Sequence, residues 1–204
     1  MRKVVISLAL ICSVVFAHTL KDGVDALENH QFTKAFEIFS KFPNDTTAQF
    51  YLGIMYANGE GVEQDYKKAF EWWEKAALQG DAQAQTNLGI MYANGEGVRQ
   101  DYRKAIGWYE KAALQGWAPA QTNLGNMYAN GEGVRQDYRK AIGWYEKAAT
   151  QGESMAQYNL GIMYANGEGV RQNYSTAKEY YGKACDNGNQ PGCEAYADLN
   201  KKGY

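Results

Sequence analysis

Apolar residues recur at helical spacing through residues 84–119 and predict two amphipathic helices. Ala84, Leu88, Met91 and Tyr92 fall on one face of a first helix. A second stripe follows, formed by Tyr102, Ala105, Ile106, Tyr109, Ala112 and Ala113. Helices of about 10 and 14 residues are too short to be stable alone. Their apolar faces are therefore expected to be shared with neighbouring helices.

Capping and turn residues bound both predicted helices. The run Asn94 to Gly97 ends the first helix, because glycine readily takes the left-handed conformation of a C-terminal cap. Asp101 suits the N-cap of the second helix, where its carboxylate accepts hydrogen bonds from unpaired amides, and Gly116 closes that helix. Gly89 removes a side chain at a place where another helix can come close.

The same block occurs four times at a constant spacing of 36 residues. The second and third copies differ at only five positions. Repeats of this length are typical of solenoids, in which neighbouring repeats share one core. The sequence therefore predicts an all-α fold, an α-solenoid of antiparallel helix pairs with about eleven helices and no strand. The predicted repeats are residues 48–83, 84–119, 120–155 and 156–191.

The segments on either side of the repeats are predicted to finish the stack. Residues 18–47 contain a degenerate helix pair, since Phe32 to Phe39 matches the second helix beginning at Tyr66. Residues 192–204 place small and apolar residues where a further first helix would have them, surrounded by polar positions. This pattern indicates a C-terminal capping helix.

The first seventeen residues have the layout of a secretory signal peptide. A positive start, Met1 to Lys3, precedes an apolar run from Val4 to Phe16 and small residues before a cleavage point at Ala17. About thirteen apolar residues are too few for the alternative, a membrane anchor. We expect cleavage after Ala17, no membrane span in the mature chain, and a location in the periplasm or outside the cell.

Charge and chemistry narrow the function classes. Loss of Arg2 and Lys3 with the signal peptide changes the formal net charge from −2 to −4. A weakly acidic chain lacks the excess of positive charge that is typical of nucleic-acid-binding proteins. The only histidines, His18 and His30, lie outside the repeats, so neither a metal site nor a histidine-based triad is expected. We predict no cofactor and a monomeric chain.

The repeated motif A-Q-x-x-L-G-x-M-Y-A-N-G-E-G-V, followed by D-Y-x-K-A and E-K-A-A, resembles the Sel1-like repeat, a relative of the tetratricopeptide repeat. The resemblance covers residues 48–191 closely and the ends more loosely. It implies a curved right-handed superhelix whose inner wall is lined by first helices. Such a scaffold implies a protein or peptide as the partner, which the sequence does not identify.

Cys185 and Cys193 resemble, in their spacing, the cysteine pairs of the Helicobacter cysteine-rich proteins, in which every repeat carries one. Here only the last repeat has the pair; the equivalent positions earlier in the chain hold, for example, Ala113 and Gln121. In an oxidising compartment the resemblance implies a disulfide between the last second helix and the capping helix. The alternative, a redox-active pair, is disfavoured because no Cys-x-x-Cys motif is present.

The side of the first helices opposite the core is predicted to form a binding groove. Asparagines recurring once per repeat could hydrogen-bond an extended peptide, with apolar groups receiving its side chains. The alternative is that they are copies produced by duplication and satisfied by water. The predicted groove residues are Phe50, Tyr51, Ile54, Thr86, Asn87, Ile90, Thr122, Asn123, Asn126, Tyr158, Asn159 and Ile162.

Two other function classes remain as alternatives to a scaffold. Ser175 and Lys178 match S-x-x-K of penicillin-binding and β-lactamase-like enzymes, and Tyr164 to Asn166 matches Y-x-N. Tyr-Ala-Asn occurs in every repeat, and Ser175 and Lys178 occupy the places that Arg103 and Ile106 have in an ordinary second helix. An all-helical chain also offers no sheet edge for an oxyanion hole. We predict no enzymatic activity. Binding of peptidoglycan or another carbohydrate is the third class, for an exported chain with sixteen tyrosines and five tryptophans.

Overall fold

A computed structural model describes residues 19–204, so the predicted signal peptide, Cys12 and His18 lie outside the described residues. Within this range the chain forms eleven α-helices and no strand, which confirms the predicted all-α solenoid. The helices are α1 (Leu20–Glu28), α2 (Phe32–Phe39), α3 (Thr46–Asn58), α4 (Tyr66–Leu78), α5 (Ala82–Asn94), α6 (Tyr102–Leu114), α7 (Ala118–Asn130), α8 (Tyr138–Ala149), α9 (Ser154–Asn166), α10 (Tyr174–Asp186) and α11 (Gln190–Lys201).

Each helix packs against the one before it and the one after it along the chain. The buried residues form clusters that span the junctions between successive repeats. Buried Ala69, Trp73 and Ala76 of α4 pack with Leu88 and Met91 of α5, and α6 with α7 and α8 with α9 form equivalent clusters. The apolar faces of two successive repeats are therefore buried together, as the shortness of the helices requires.

The predicted helix ends are present in every repeat. Asp101 is the N-cap of α6 and its carboxylate accepts a hydrogen bond of 3.1 Å from the backbone amide of Lys104. Gly95 caps α5 in the left-handed conformation with φ 76°. Gly97 has φ 68°, and a Cβ there would lie 2.5 Å from the carbonyl oxygen of Tyr66. This second glycine lets the loop pack on the start of the preceding second helix.

Glycines inside the helices fall into two groups. A Cβ on Gly89 would lie 2.4 Å from the ring of Tyr109, so this glycine allows α5 and α6 to come close, as predicted. Gly107 and Gly143 have no atom within 4 Å of the place where a Cβ would be. These two glycines serve no packing purpose and lower the intrinsic stability of α6 and α8.

A buried glutamine joins three helices at each repeat junction. Gln121 of α7 is 4% exposed; it donates to the carbonyl of Ala113 at 3.1 Å and accepts from Gln151 at 3.0 Å. Its side chain thus satisfies polar groups at the ends of α6 and α8. Gln85 and Gln157 make the equivalent bonds. The sequence pattern contained these glutamines without revealing their role.

Both ends of the stack are covered. At the start, Phe39 is fully buried and stacks on Tyr51 with ring centroids 5.0 Å apart. At the other end, a disulfide between Cys185 and Cys193 joins α10 to α11. None of the helices among residues 19–204 combines the length and the apolar character needed to cross a membrane.

Candidate interaction surface

The four first helices of the repeats, α3, α5, α7 and α9, contain no charged residue. We call their part outside the core the first-helix surface. Acidic residues border it at both ends: Asp45, Asp81 and Glu153 are N-caps, and a glutamate follows the C-cap of each helix at positions 60, 96, 132 and 168. The lysines and arginines of the repeats lie on second helices and connecting loops.

Two of the predicted groove residues lie in the core. Thr86 and Thr122 are each 5% exposed, and their hydroxyls donate to the carbonyls of Ala82 and Ala118 at 2.7 and 3.1 Å. Their placement on an exposed stripe is wrong. A first helix packs against its own second helix and also against the preceding one. Its buried arc is therefore wider than one stripe.

Aromatic residues replace these threonines in the first and last repeats and also serve packing. Tyr158 is half-buried, with its ring 5.6 Å from that of Tyr181. Phe50 lies 5.5 Å from Tyr51, which is itself stacked on Phe39. Ile54 and Ile162 are half-buried, whereas Ile90 is 36% exposed. Ile90 is therefore the most open apolar member of the predicted groove.

We call the asparagines that recur once per repeat, Asn87, Asn123 and Asn159, the asparagine ladder; its members differ in their hydrogen bonding. Asn87 and Asn123 are half-buried, and their side-chain amides make no hydrogen bond within the part of the chain that the structure describes. Asn159 is different, because its amide donates to Oδ1 of Asn126 at 3.1 Å. The residue equivalent to Asn126 in the preceding repeat is Ile90, whose side chain has no hydrogen-bond acceptor. Two rungs of the ladder are thus open to a ligand and the third is internally bonded.

A polar cluster occupies the junction between the third and fourth repeats. Oδ1 of Asn126 accepts from the hydroxyl of Tyr145 at 2.7 Å as well as from Asn159. Burial raises the pKa of Tyr145 above its usual range; the nearby side-chain amide of Asn159 opposes this shift, and the charge of Glu168 adds to it. Tyr145 is therefore a neutral phenol at physiological pH and keeps its proton for the bond to Asn126.

This cluster lines a cavity of about 460 Å³ between α7, α8 and α9. Its polar lining includes Asn126, Asn130, Gln136, Tyr145, Asn159 and Glu168. The structure thus brings together three predicted residues, Asn126, Asn159 and Ile162. Tyr145 and Glu168 were missed because sequence patterns assigned them to the core stripe and to the turn. One signal was available, since Asn126 is among the five positions that distinguish the third repeat from the second.

The enzyme-like motif does not assemble into a catalytic arrangement in the described range. Ser175 is exposed on α10. The ammonium of Lys178 donates to Oδ1 of Asn200 at 2.7 Å and to the carbonyl of Tyr204, at the C-terminal end of the chain. Among residues 19–204 no three histidine, cysteine or acidic side chains are grouped so as to hold a metal ion.

Comparison with known families and structures follows the repeat pattern. The Sel1 repeat profile matches residues 46–81, 82–117, 118–153 and 154–189. A Sel1 repeat protein from Oxalobacter formigenes has 35% identity and a TM-score of 0.83, over 90% of this chain and 74% of that one.

Two further solved structures are similar to this chain. The protein c5321, described as a protective antigen present in uropathogenic Escherichia coli, has 36% identity and a TM-score of 0.74; the match covers 89% of this chain and 44% of c5321. Helicobacter pylori cysteine rich protein B has 26% identity and a TM-score of 0.49, over 71% of this chain and 97% of that one. A search of curated protein sequences gave no match.

Proposed function

The chain belongs to the Sel1 repeat family, whose members usually form scaffolds for protein interaction, and from that premise we propose that its first-helix surface binds an extended peptide segment of a partner protein. The observation that carries this proposal is the pair of open amides of Asn87 and Asn123, one repeat apart, on helices without charge. A side-chain amide has both donors and an acceptor, which is what a peptide backbone group requires.

The asparagines recur once per first helix, and successive first helices come within side-chain reach of each other, since the amide of Asn159 on α9 donates to Oδ1 of Asn126 on α7 at 3.1 Å. Ile90, 36% exposed, lies on the same surface and offers an apolar contact for a ligand side chain. Backbone pairing with pockets for alternate side chains is a common mode of peptide recognition.

We also propose that the protein acts outside the cytoplasm. The disulfide between Cys185 and Cys193 supports this location, because structural disulfides persist in oxidising compartments. N-terminal sequencing of the protein isolated from its native cells tests the predicted cleavage after Ala17. A mature chain that still begins at Met1 would contradict it.

A random peptide library panned on the purified protein tests the binding function. We expect enriched peptides that lose at least tenfold in affinity when Asn87, Asn123 and Asn159 are all changed to alanine. The matched control changes Glu74, Glu110 and Glu146, which recur in register on the second helices, to alanine and leaves binding intact. Circular dichroism of both variants verifies that each remains folded.

Three results, one from the panning and two from separate assays of the same purified protein, would contradict the proposal. Peptides captured equally well by the triple asparagine variant would place binding elsewhere. Specific binding of peptidoglycan fragments in the absence of any peptide enrichment would favour the carbohydrate alternative. Turnover of nitrocefin that is lost in Ser175→Ala would favour a β-lactamase-like enzyme.

A further inference from the structure

We propose that the cavity between the third and fourth repeats binds a lysine or arginine side chain of the bound peptide. This inference rests on the proposed peptide-binding function and adds a preference at one place along the surface. It is carried by the hydrogen-bonding groups that line the cavity, by the electrostatic environment, and by comparison with the equivalent junctions in the same chain.

The cavity presents acceptors to a ligand. Oδ1 of Asn126 is already used twice, by Tyr145 and Asn159. The side-chain carbonyls of Asn159 and Gln136 accept no hydrogen bond within residues 19–204. Lysine and arginine side chains carry donors and no acceptor, so they are complementary to these oxygens.

The electrostatic environment favours a positive charge. Glu168 supplies a carboxylate, and no lysine or arginine belongs to the cavity lining. The helices α7 and α9 end beside the cavity at Asn130 and Asn166, and the C-terminal end of a helix carries partial negative charge. Glu168 and Tyr145 line the same cavity, so the carboxylate lies in the space that a ligand side chain would enter. An acidic ligand side chain would be repelled, and an aliphatic one would leave polar groups unpaired.

Equivalent junctions in the same chain differ in a way that makes the third repeat distinctive. One repeat earlier, the glutamate is retained as Glu132, but Ile90 replaces Asn126, so the polar cluster cannot form there. One repeat later, a cavity of about 490 Å³ is lined by the protein's own Lys202, whose ammonium lies 2.7 Å from Asp198. That junction thus carries an exposed ion pair within α11, whereas the cavity of the third repeat has a carboxylate and no basic residue in its lining.

The experiment compares peptide preferences of matched variants. A random heptapeptide library is panned in parallel on wild type, Glu168→Gln, Asn126→Ile and Glu132→Gln. Asn126→Ile introduces the residue that the chain already has at positions 54, 90 and 162, and Glu168→Gln keeps an oxygen to accept from Asn166. Glu132→Gln is the matched control, because it removes the same charge one repeat away.

We expect wild type to enrich lysine or arginine at one position of the selected peptides. Glu168→Gln should weaken binding of such a peptide by about two- to fivefold, the effect of one solvent-accessible charge pair, and 0.5 M NaCl should remove most of the difference. Asn126→Ile should reduce the preference for a basic residue over norleucine. Glu132→Gln should leave both the affinity and the preference unchanged.

The results separate this inference from the proposed function. Enriched peptides that depend on the asparagine ladder but show no preference for basic residues would overturn the inference alone. A preference for basic residues that neither Glu168→Gln nor Asn126→Ile changes would also overturn the inference alone. So would a preference that Glu132→Gln weakens as much as Glu168→Gln does. Absence of any enriched peptide would overturn the proposed function together with the inference.

Discussion

The same substitution, glycine to alanine, is expected to have opposite effects on two neighbouring helices. Gly125 lies in α7, where a Cβ would be 2.5 Å from the ring of Tyr145. Gly143 lies in α8, where a Cβ would meet nothing within 4 Å. Both residues are inside helices and have negative φ, so local backbone preference is similar and tertiary packing makes the difference.

The magnitudes follow from packing and helix propensity. Alanine is favoured over glycine inside a helix by about 1 kcal/mol, and Gly143→Ala should gain that amount. Gly125→Ala gains the same term but forces an overlap with a buried ring, and overpacking costs about 1–3 kcal/mol. The phenol of Tyr145 is held by Asn126 at 2.7 Å, so the ring has little freedom to move away. The cost should therefore lie in the upper part of that range, about 2–3 kcal/mol, which leaves a net loss of about 1–2 kcal/mol.

Thermal unfolding followed by circular dichroism at 222 nm measures both effects. For a chain of this size 1 kcal/mol corresponds to about 2–4 °C in Tm. Gly143→Ala should therefore raise Tm by about 2–4 °C, and Gly125→Ala should lower it by roughly 2–8 °C. An unchanged or raised Tm for Gly125→Ala would refute the close approach of α7 and α8, and with it the packing of first against second helices.

Three further outcomes are expected. Gln121→Leu should lower the free energy of unfolding by about 1–3 kcal/mol because it removes two hydrogen bonds at a buried repeat junction, whereas Gln83→Leu at an exposed position should change it by less than about 0.5 kcal/mol; urea titration distinguishes them. Replacing Cys185 and Cys193 by serine should cost about 2–3 kcal/mol and increase hydrogen exchange in α11 selectively; uniform exchange would contradict this. Burial raises the pKa of Tyr181 to about 12. Its stabilising contribution is complete below pH 10.0, the unfolded value, and is lost as pH rises toward about 12, so spectrophotometric titration at 295 nm and unfolding at several pH values should agree.

Much of the fold could be predicted because it depends on local sequence. Asp101 at an N-cap and Gly95 at a C-cap mark helix ends within a few residues of where the structure has them. The stripe through Ala105 and Tyr109 indicates which face is buried. The 36-residue period then fixes the stacking, since every helix pair must bury the same face against its neighbour.

The candidate site could be predicted only in part, because it depends on contacts between repeats. The helical period placed Thr86 opposite the core, but a first helix packs against two second helices, and Thr86 is only 5% exposed. The role of Gln121 could not be predicted from local sequence, because its hydrogen-bond partners, Ala113 and Gln151, are eight residues before it and thirty after it. The bond between Asn126 and Asn159 likewise joins residues 33 apart.

Near-identity of the copies also limited the interpretation of individual residues. A residue that recurs four times at one position shows what the fold tolerates, but duplication alone accounts for its recurrence. The informative positions are those at which the copies differ. Asn126 is one, since it converts the environment of Asn159 from an open amide into a bonded cluster, whereas Asn87 and Asn123 follow isoleucines in the preceding repeats.

Site-specific photocrosslinking tests most directly whether the first-helix surface binds the ligand. A library-selected peptide is irradiated with protein carrying p-benzoylphenylalanine at position 90 on α5 or at position 110 on α6, both of them exposed. We expect a covalent peptide adduct from position 90, competed by unlabelled peptide, and none from position 110. An adduct from position 110 alone would contradict the account and assign binding to the second helices.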